Sequence, residues 1–182
     1  MFYIKNKTTE KRFSNVSAGF GLIEALVAVT VLLSAVVAVL TTSNRSLALT
    51  GVARNKISAF YLAQEPLEYI HNRRDSNRLA GLAASAWLTG LGNCTSGLCT
   101  IDVTNRTSAP CVSVCPVLRR DSAGSGLYGY APTWDPTPYT RTVAINEFVP
   151  GREATITVVM AWQEGTQTKT LTVQNRILSW GF

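Results

Sequence analysis

Histidine and acid chemistry are almost missing from this chain. It has one histidine, His71, and 11 Asp and Glu residues in 182. His71 stands beside Asn72 and Arg73 in a helical pattern and reads as a surface or packing residue, not a base. The acids are scattered, and no paired-carboxylate motif, nucleophile elbow, metal-binding helix or phosphate loop is evident. These absences argue against an enzyme, so no catalytic residue, cofactor or metal is expected. Asp121 and Asp135 lack the acid-rich alternation of a calcium loop. No dense Lys/Arg run with interleaved aromatics follows the first 19 residues, so nucleic-acid binding is not expected despite a net charge of +6. Segment 1–19 alone carries +3, from Lys5, Lys7, Lys11 and Arg12 against Glu10, so the high pI is partly a targeting artefact.

What the chain does have is Gly19 followed by FGLIEALVAVTVLLSAVVAVL, residues 20–40, a run of 21 residues with one charge, Glu24. As a helix it measures about 31 Å, enough to cross a hydrocarbon core of about 30 Å. Thirteen of the 21 are Leu, Ile, Val or Phe, worth about −4 to −8 kcal/mol of insertion free energy in sum. A carboxylate at the helix centre costs about 3 kcal/mol, and less near the end where Glu24 lies, so insertion survives it. An ionisable residue in a spanning segment is a functional signal that calls for a partner. The basic residues ahead of the run keep 1–19 in the cytoplasm and send the rest outward. A cleaved signal peptide is the competing reading. Its apolar core would be shorter and would end in a small-residue site, whereas Gly19 precedes the run.

Gly19, Phe20, Leu22, Ile23 and Glu24, behind a basic leader and ahead of a long apolar helix, resemble the processing motif of type IV prepilins and type II secretion pseudopilins. The resemblance implies cleavage between Gly19 and Phe20 by a prepilin peptidase and N-methylation of Phe20. It also implies that Glu24, then the fifth residue, pairs with the α-amino group of a neighbouring subunit during filament assembly. An ammonium brought to a buried carboxylate offsets the expense of leaving it unpaired. Gly21 departs from the threonine common at the second mature position, and the leader is longer than many. Neither departure touches the cleavage glycine or the glutamate.

About 140 residues follow the span, enough for one domain with its own core. Thr41 to Arg45 marks the membrane exit, with Arg45 placed to snorkel. From there Val52, the stem of Lys56, Ala59/Phe60, Ala63, Leu67 and Ile70 recur at three- to four-residue spacing and predict a core-facing stripe. The helix is expected to continue to about Arg74, with weak points at Gly51 and Pro66 and a kink or local break near Pro66. Tyr61 to Leu79 resembles the second half of this helix in PilV-like minor pilins and related pseudopilins, although another residue is more usual at Pro66.

Residues 80–93 are compatible with a short helix or a packed loop around Trp87. Cys94, Cys99, Cys111 and Cys115 follow, with a strand expected over Leu98 to Val103. Outside the cytoplasm, two disulfides are the favoured reading, and four cysteines allow three connectivities. Cys94–Cys99 and Cys111–Cys115, each closing a small loop, are preferred. A four-thiolate zinc site is the rival, set back by the missing C-x2-C spacing. Residues 119–138 read as loop, where Tyr128, Tyr130, Trp134 and Tyr139 form either a contact surface or, as the more ordinary reading, a cap on the sheet. Thr140 to Phe148, with Val143 and Ile145 on one face, and Ala154 to Gln163, with Ile156, Val158, Met160 and Trp162, read as strands. Gly165 marks a hairpin turn, Lys169 to Gln174 returns with Leu171 and Val173, and the last strand is extended towards Trp180.

The expected organisation is thus a leader (1–19), a transmembrane or filament-core helix (20–40), its amphipathic continuation (41–74), and a head (75–182) with a cysteine region (94–115) and a β-sheet (140–180). The fold class is α+β and pilin-like, a long N-terminal helix, half transmembrane and half amphipathic, packed on a C-terminal antiparallel sheet. The strands ending in a tryptophan also resemble the pseudopilin I branch. The implied function is that of a minor pilin or pseudopilin entering or priming a filament. Its implied partners are the prepilin peptidase, other pilin or pseudopilin subunits, the inner-membrane assembly platform and the cytoplasmic membrane. The implied location is a single pass in that inner membrane with the head outside the cytoplasm, then a cell-surface or periplasmic filament. Two alternatives stand beside it: a filament-tip subunit whose head binds a ligand, as an adhesin or in DNA uptake, and an anchored domain that never polymerises.

Overall fold

The computed structural model describes residues 21–179. The leader, the Gly19–Phe20 bond and Trp180 lie outside the described residues. One long N-terminal helix, α1 (Leu22–Leu79), precedes a seven-stranded antiparallel sheet, which makes the fold α+β. The chain divides into two compact units, Met1–Leu47 and Ala48–Phe182, with the boundary inside α1.

In the first unit every described residue is exposed. Its helix is long and apolar enough to cross a membrane. Four of its hydroxyls are satisfied locally: Thr30 donates to Val27 O, Ser34 to Val31 O, and Thr41 and Thr42 to Ala38 O, at 2.8 to 2.9 Å. In hydrocarbon such back-bonding spares a polar group from going unpaired.

In the second unit the helix buries Ala59, Leu62, Ala63, Pro66, Leu67, Ile70 and Asn77. The expected stripe holds at Ala59, Ala63, Leu67 and Ile70. Val52, Lys56 and Phe60 are exposed instead: Val52 and Lys56 lie where the sheet's reach along the helix ends, near Asn55, whose carbonyl accepts the Tyr139 hydroxyl at 3.2 Å, and Phe60 stands off the buried face made by Ala59, Leu62 and Ala63. Two further corrections concern the helix itself. It runs unbroken through Gly51 and Pro66, and it ends at Leu79, five residues beyond Arg74. The added turn is held from outside: Arg74 and Arg78 donate to the carbonyls of Leu178 and Ser179, and Asn77 donates to those of Trp87 and Thr89.

After α1 come a 3-10 turn (Ala84–Ala86) and a four-residue helix α2 (Gly92–Thr95), between which Trp87, Leu88 and Leu91 are buried. The strands are β1 (Cys99–Asp102), β2 (Thr107–Pro110), β3 (Val117–Arg120), β4 (Tyr128–Gly129), β5 (Asp135–Val149), β6 (Glu153–Glu164) and β7 (Gln167–Leu178). β5 is the axis of the sheet. One of its edges pairs with β6, which pairs with β7; the other takes β3 near its start and β1 at Val143, with β4 and β2 outermost.

The sheet therefore begins well before the expected 140–180. The second half of β3, all of β4 and the first residues of β5 fall in the stretch 119–138 expected as loop, and ladder pairing, β3 with β5 and β4 with β3, defines these short strands more than any period of their own. β6 keeps the strict alternation expected of it, with Ala154, Ile156, Val158, Met160 and Trp162 all buried. Its hairpin with β7 closes on the pair Glu164–Gln167, and Gly165 (φ 60°) takes the first central position, where a type II′ turn demands glycine. The core lies between the second half of α1 and the inward faces of β1, β3, β5 and β6, with Ile177 from β7.

Candidate functional site

Glu24 lies in the first turn of α1 and is the only ionisable residue between Gly21 and Asn44. Leu22, Ile23, Leu26 and Val27 around it are each more than half exposed. A carboxylate at a helix N-terminus interacts favourably with the helix dipole, but the same group in hydrocarbon costs insertion free energy. The other two residues of the expected processing site, Gly19 and Phe20, lie outside the described residues.

Glu24 belongs to the first unit and the four cysteines to the second. They pair as Cys94–Cys99 and Cys111–Cys115, with Cα–Cα distances of 4.9 Å in both. The two loops lie side by side because the Cys111 N–H donates to Leu98 O at 2.8 Å and β1 pairs with β2 from Cys99↔Pro110 onward. Among the described residues, no group of three or more His, Cys, Asp or Glu side chains is placed to hold a metal.

The most concentrated polar chemistry of the second unit was not anticipated. Arg141, on β5, is fully buried. Its Nη1 donates to Leu62 O at 2.8 Å and to Glu65 Oε2 at 2.7 Å, and its Nη2 donates to Ile101 O at 2.7 Å. The residue joins α1, β1 and β5 through one planar fork. Beside it the Tyr130 hydroxyl and Arg141 Nε are both buried, with no hydrogen-bond partner beyond the contact of these two side chains with each other. Burial pushes the Tyr130 phenol above its ordinary value of 10.0, a rise that the nearby Arg141 cation partly opposes. On the other side of Tyr130, buried Asp102 accepts from the N–H and side-chain amide of Asn105 and from the Tyr130 N–H, at 2.9 to 3.3 Å. The register carried a signal for Arg141: it shares the inward parity of Val143 and Ile145, so a two-residue period places a cation on the apolar face.

The aromatic residues of the loop region follow the ordinary reading. Tyr139 is a core residue, Tyr128 and Tyr130 pack against the core, and Trp134 is half-buried. Burial also raises the Tyr139 phenol. His71 is held below its usual value of 6.5, first by partial burial and then by Arg74. The Asp121 carboxyl is held low by the hydroxyl of Ser125 and by backbone N–H donors of Ala123 and Ser125, as in an Asx turn. Ile57, Phe60 and Tyr61 on α1 leave an apolar groove against Leu171, with Lys56 at its rim. None of these positions brings a nucleophile to a base. Compared with known protein families, curated proteins and solved structures, the chain has no match.

Proposed function

We propose that the chain is a minor pilin or pseudopilin, a structural subunit of a type IV pilus-like filament. On this reading a prepilin peptidase cuts between Gly19 and Phe20, Phe20 is N-methylated, and the subunit joins or primes assembly from the inner membrane. The observation that carries the reading is the lone carboxylate Glu24 in the first turn of α1, at the head of an otherwise apolar and wholly exposed stretch of helix. Dipole stabilisation of about 0.3–1 kcal/mol does not balance an insertion cost of up to about 3 kcal/mol. A pairing partner supplied by assembly does.

The test is the N-terminal sequence and mass of the mature protein from cells with and without prepilin peptidase. A chain that starts at a methylated Phe20, and does so only when the peptidase is present, supports the reading. A chain cut after the span, or uncut in peptidase-positive cells, defeats it. Glu24→Ala separates a filament subunit from a bare anchor: the variant is expected to insert at least as well as the parent yet to vanish from sheared filaments. Filament incorporation equal to the parent's would defeat the pairing role given to Glu24, and absence of the parent itself from sheared filaments would leave the anchored-domain alternative.

A further inference from the structure

A proline inside a helix withdraws the N–H that would bond the carbonyl four residues earlier, and its ring pushes that carbonyl aside. For Pro66 the orphaned acceptor is Leu62 O. Both residues are buried, so water does not serve this carbonyl, and an unpaired buried acceptor is costly. The donor that meets it is Arg141 Nη1 at 2.8 Å. The same nitrogen holds Glu65 Oε2, on the residue just before the proline, at 2.7 Å. A guanidinium from the sheet thus stands in for the missing amide.

We propose that Arg141 and Glu65 form a latch over a proline hinge, so that α1 is continuous at Pro66 only while the sheet is docked. Three features make it a latch and not an ordinary core ion pair. The arginine reaches the one carbonyl of the helix that the proline vacates. Its second arm, Nη2 to Ile101 O, anchors it in β1, so α1 and two strands are fixed by one side chain. Its Nε has no partner outside the neighbouring, equally buried Tyr130 side chain, so both Nη arms are committed to α1 and β1. With Arg141 withdrawn, the helix either buries a bare carbonyl or opens at Pro66, and opening is the cheaper course. The inference holds whether or not the chain enters a filament.

The test is hydrogen exchange of peptides covering residues 58–72 in the full chain in detergent micelles, in a cycle of Arg141→Met and Pro66→Ala. Arg141→Met is expected to speed exchange of the turn around Pro66 by about tenfold or more, the loss of one buried hydrogen bond. Pro66→Ala restores an N–H to Leu62 O, so in the Pro66→Ala background the same arginine substitution should change exchange by less than about threefold. Equal acceleration in both backgrounds would overturn the latch, because the arginine would then act through packing alone. If Arg141→Met does not fold, Arg141→Lys replaces it in the same cycle, since a single ammonium lacks the fork needed to reach Leu62 and Ile101 together. Rescue of folding by Pro66→Ala supports the proposal, and its absence refutes it.

Discussion

Glu147 provides the sharpest stability prediction. One oxygen of its carboxylate, Oε1, accepts both the indole N–H of Trp87 and the backbone N–H of Gly151, each at 2.6 Å. Trp87 is 4% exposed, and Gly151 (φ 72°) turns the chain between β5 and β6. A single atom therefore ties the segment after α1 to the β5–β6 turn. In Glu147→Ala the indole N–H is left buried without an acceptor, while the Gly151 N–H, only half-buried, can turn to water. A hydrogen bond to a charged group contributes about 1.5–3 kcal/mol, and leaving a buried donor bare costs about the same. The expected loss is about 2–4 kcal/mol. At about 3–5 °C per kcal/mol for a unit of this size, the melting temperature falls by about 6–20 °C. Glu147→Gln keeps an acceptor oxygen in place without the charge and should lose only about 1 kcal/mol. Thermal unfolding of the full chain in micelles, followed by tryptophan fluorescence and near-UV circular dichroism, reads both. The reasoning fails if Glu147→Ala melts within about 2 °C of the parent, or if the glutamine variant loses as much as the alanine.

Four further predictions use the same melting assay. The Tyr130 hydroxyl is buried with no partner beyond the Arg141 side chain, so Tyr130→Phe should change stability by no more than about 1 kcal/mol; a larger loss would mean the hydroxyl is bonded more firmly than that. The raised pKa of this phenol also fixes a sign: its contribution is present in full below the unfolded value of 10.0 and is lost as pH climbs through the higher folded value, so the parent should lose stability relative to Tyr130→Phe above about pH 10. Joint replacement of Cys111 and Cys115 by serine opens a loop with a sequence separation of 4, which should cost about 2 kcal/mol; no change between oxidised and reduced parent at this pair would contradict it. Gly51 lies in the interior of α1 with nothing within 4 Å of an added Cβ, so Gly51→Ala should stabilise the helix by about 0.5–1 kcal/mol, and a destabilised variant would show that the site needs the glycine.

Legibility in the sequence tracked how far each element is specified by its own residues. The apolar half of α1 is legible because a run of 21 residues with one charge admits few other structures. β6 is legible because every inward position is apolar. β5 was half legible: Val143 and Ile145 announced the face, but Arg141 on the same face broke the hydrophobic pattern and hid what the strand does. β7 is legible over Lys169 to Gln174 through Leu171 and Val173, whereas the inward Asn175 interrupts the apolar period, and the ladder with β6 carries the strand from Gln167 to Leu178. β3 and β4, with four and two residues, are too short to show a period. β3 exists because β5 offers a long free edge, and β4 because β3 then offers one of its own.

Pro66 shows the limit most clearly, since a local rule was correct and its consequence was not. The proline does remove a donor and does orphan Leu62 O, as the sequence warns. The break fails to appear because the missing donor is supplied from 75 positions later in the chain, by a residue that the same reading ignored. Two anomalies, a proline in a helix and a cation on an apolar strand face, each argue against the element that contains them. Taken together they argue for both elements, because each provides what the other lacks: the proline frees a buried acceptor, and the arginine needs one to be buried at all. Local inconsistencies of complementary chemistry on two segments are therefore a contact signal. Here they identify the pairing of α1 with β5 more specifically than the apolar stripe, which would pack equally well in several registers.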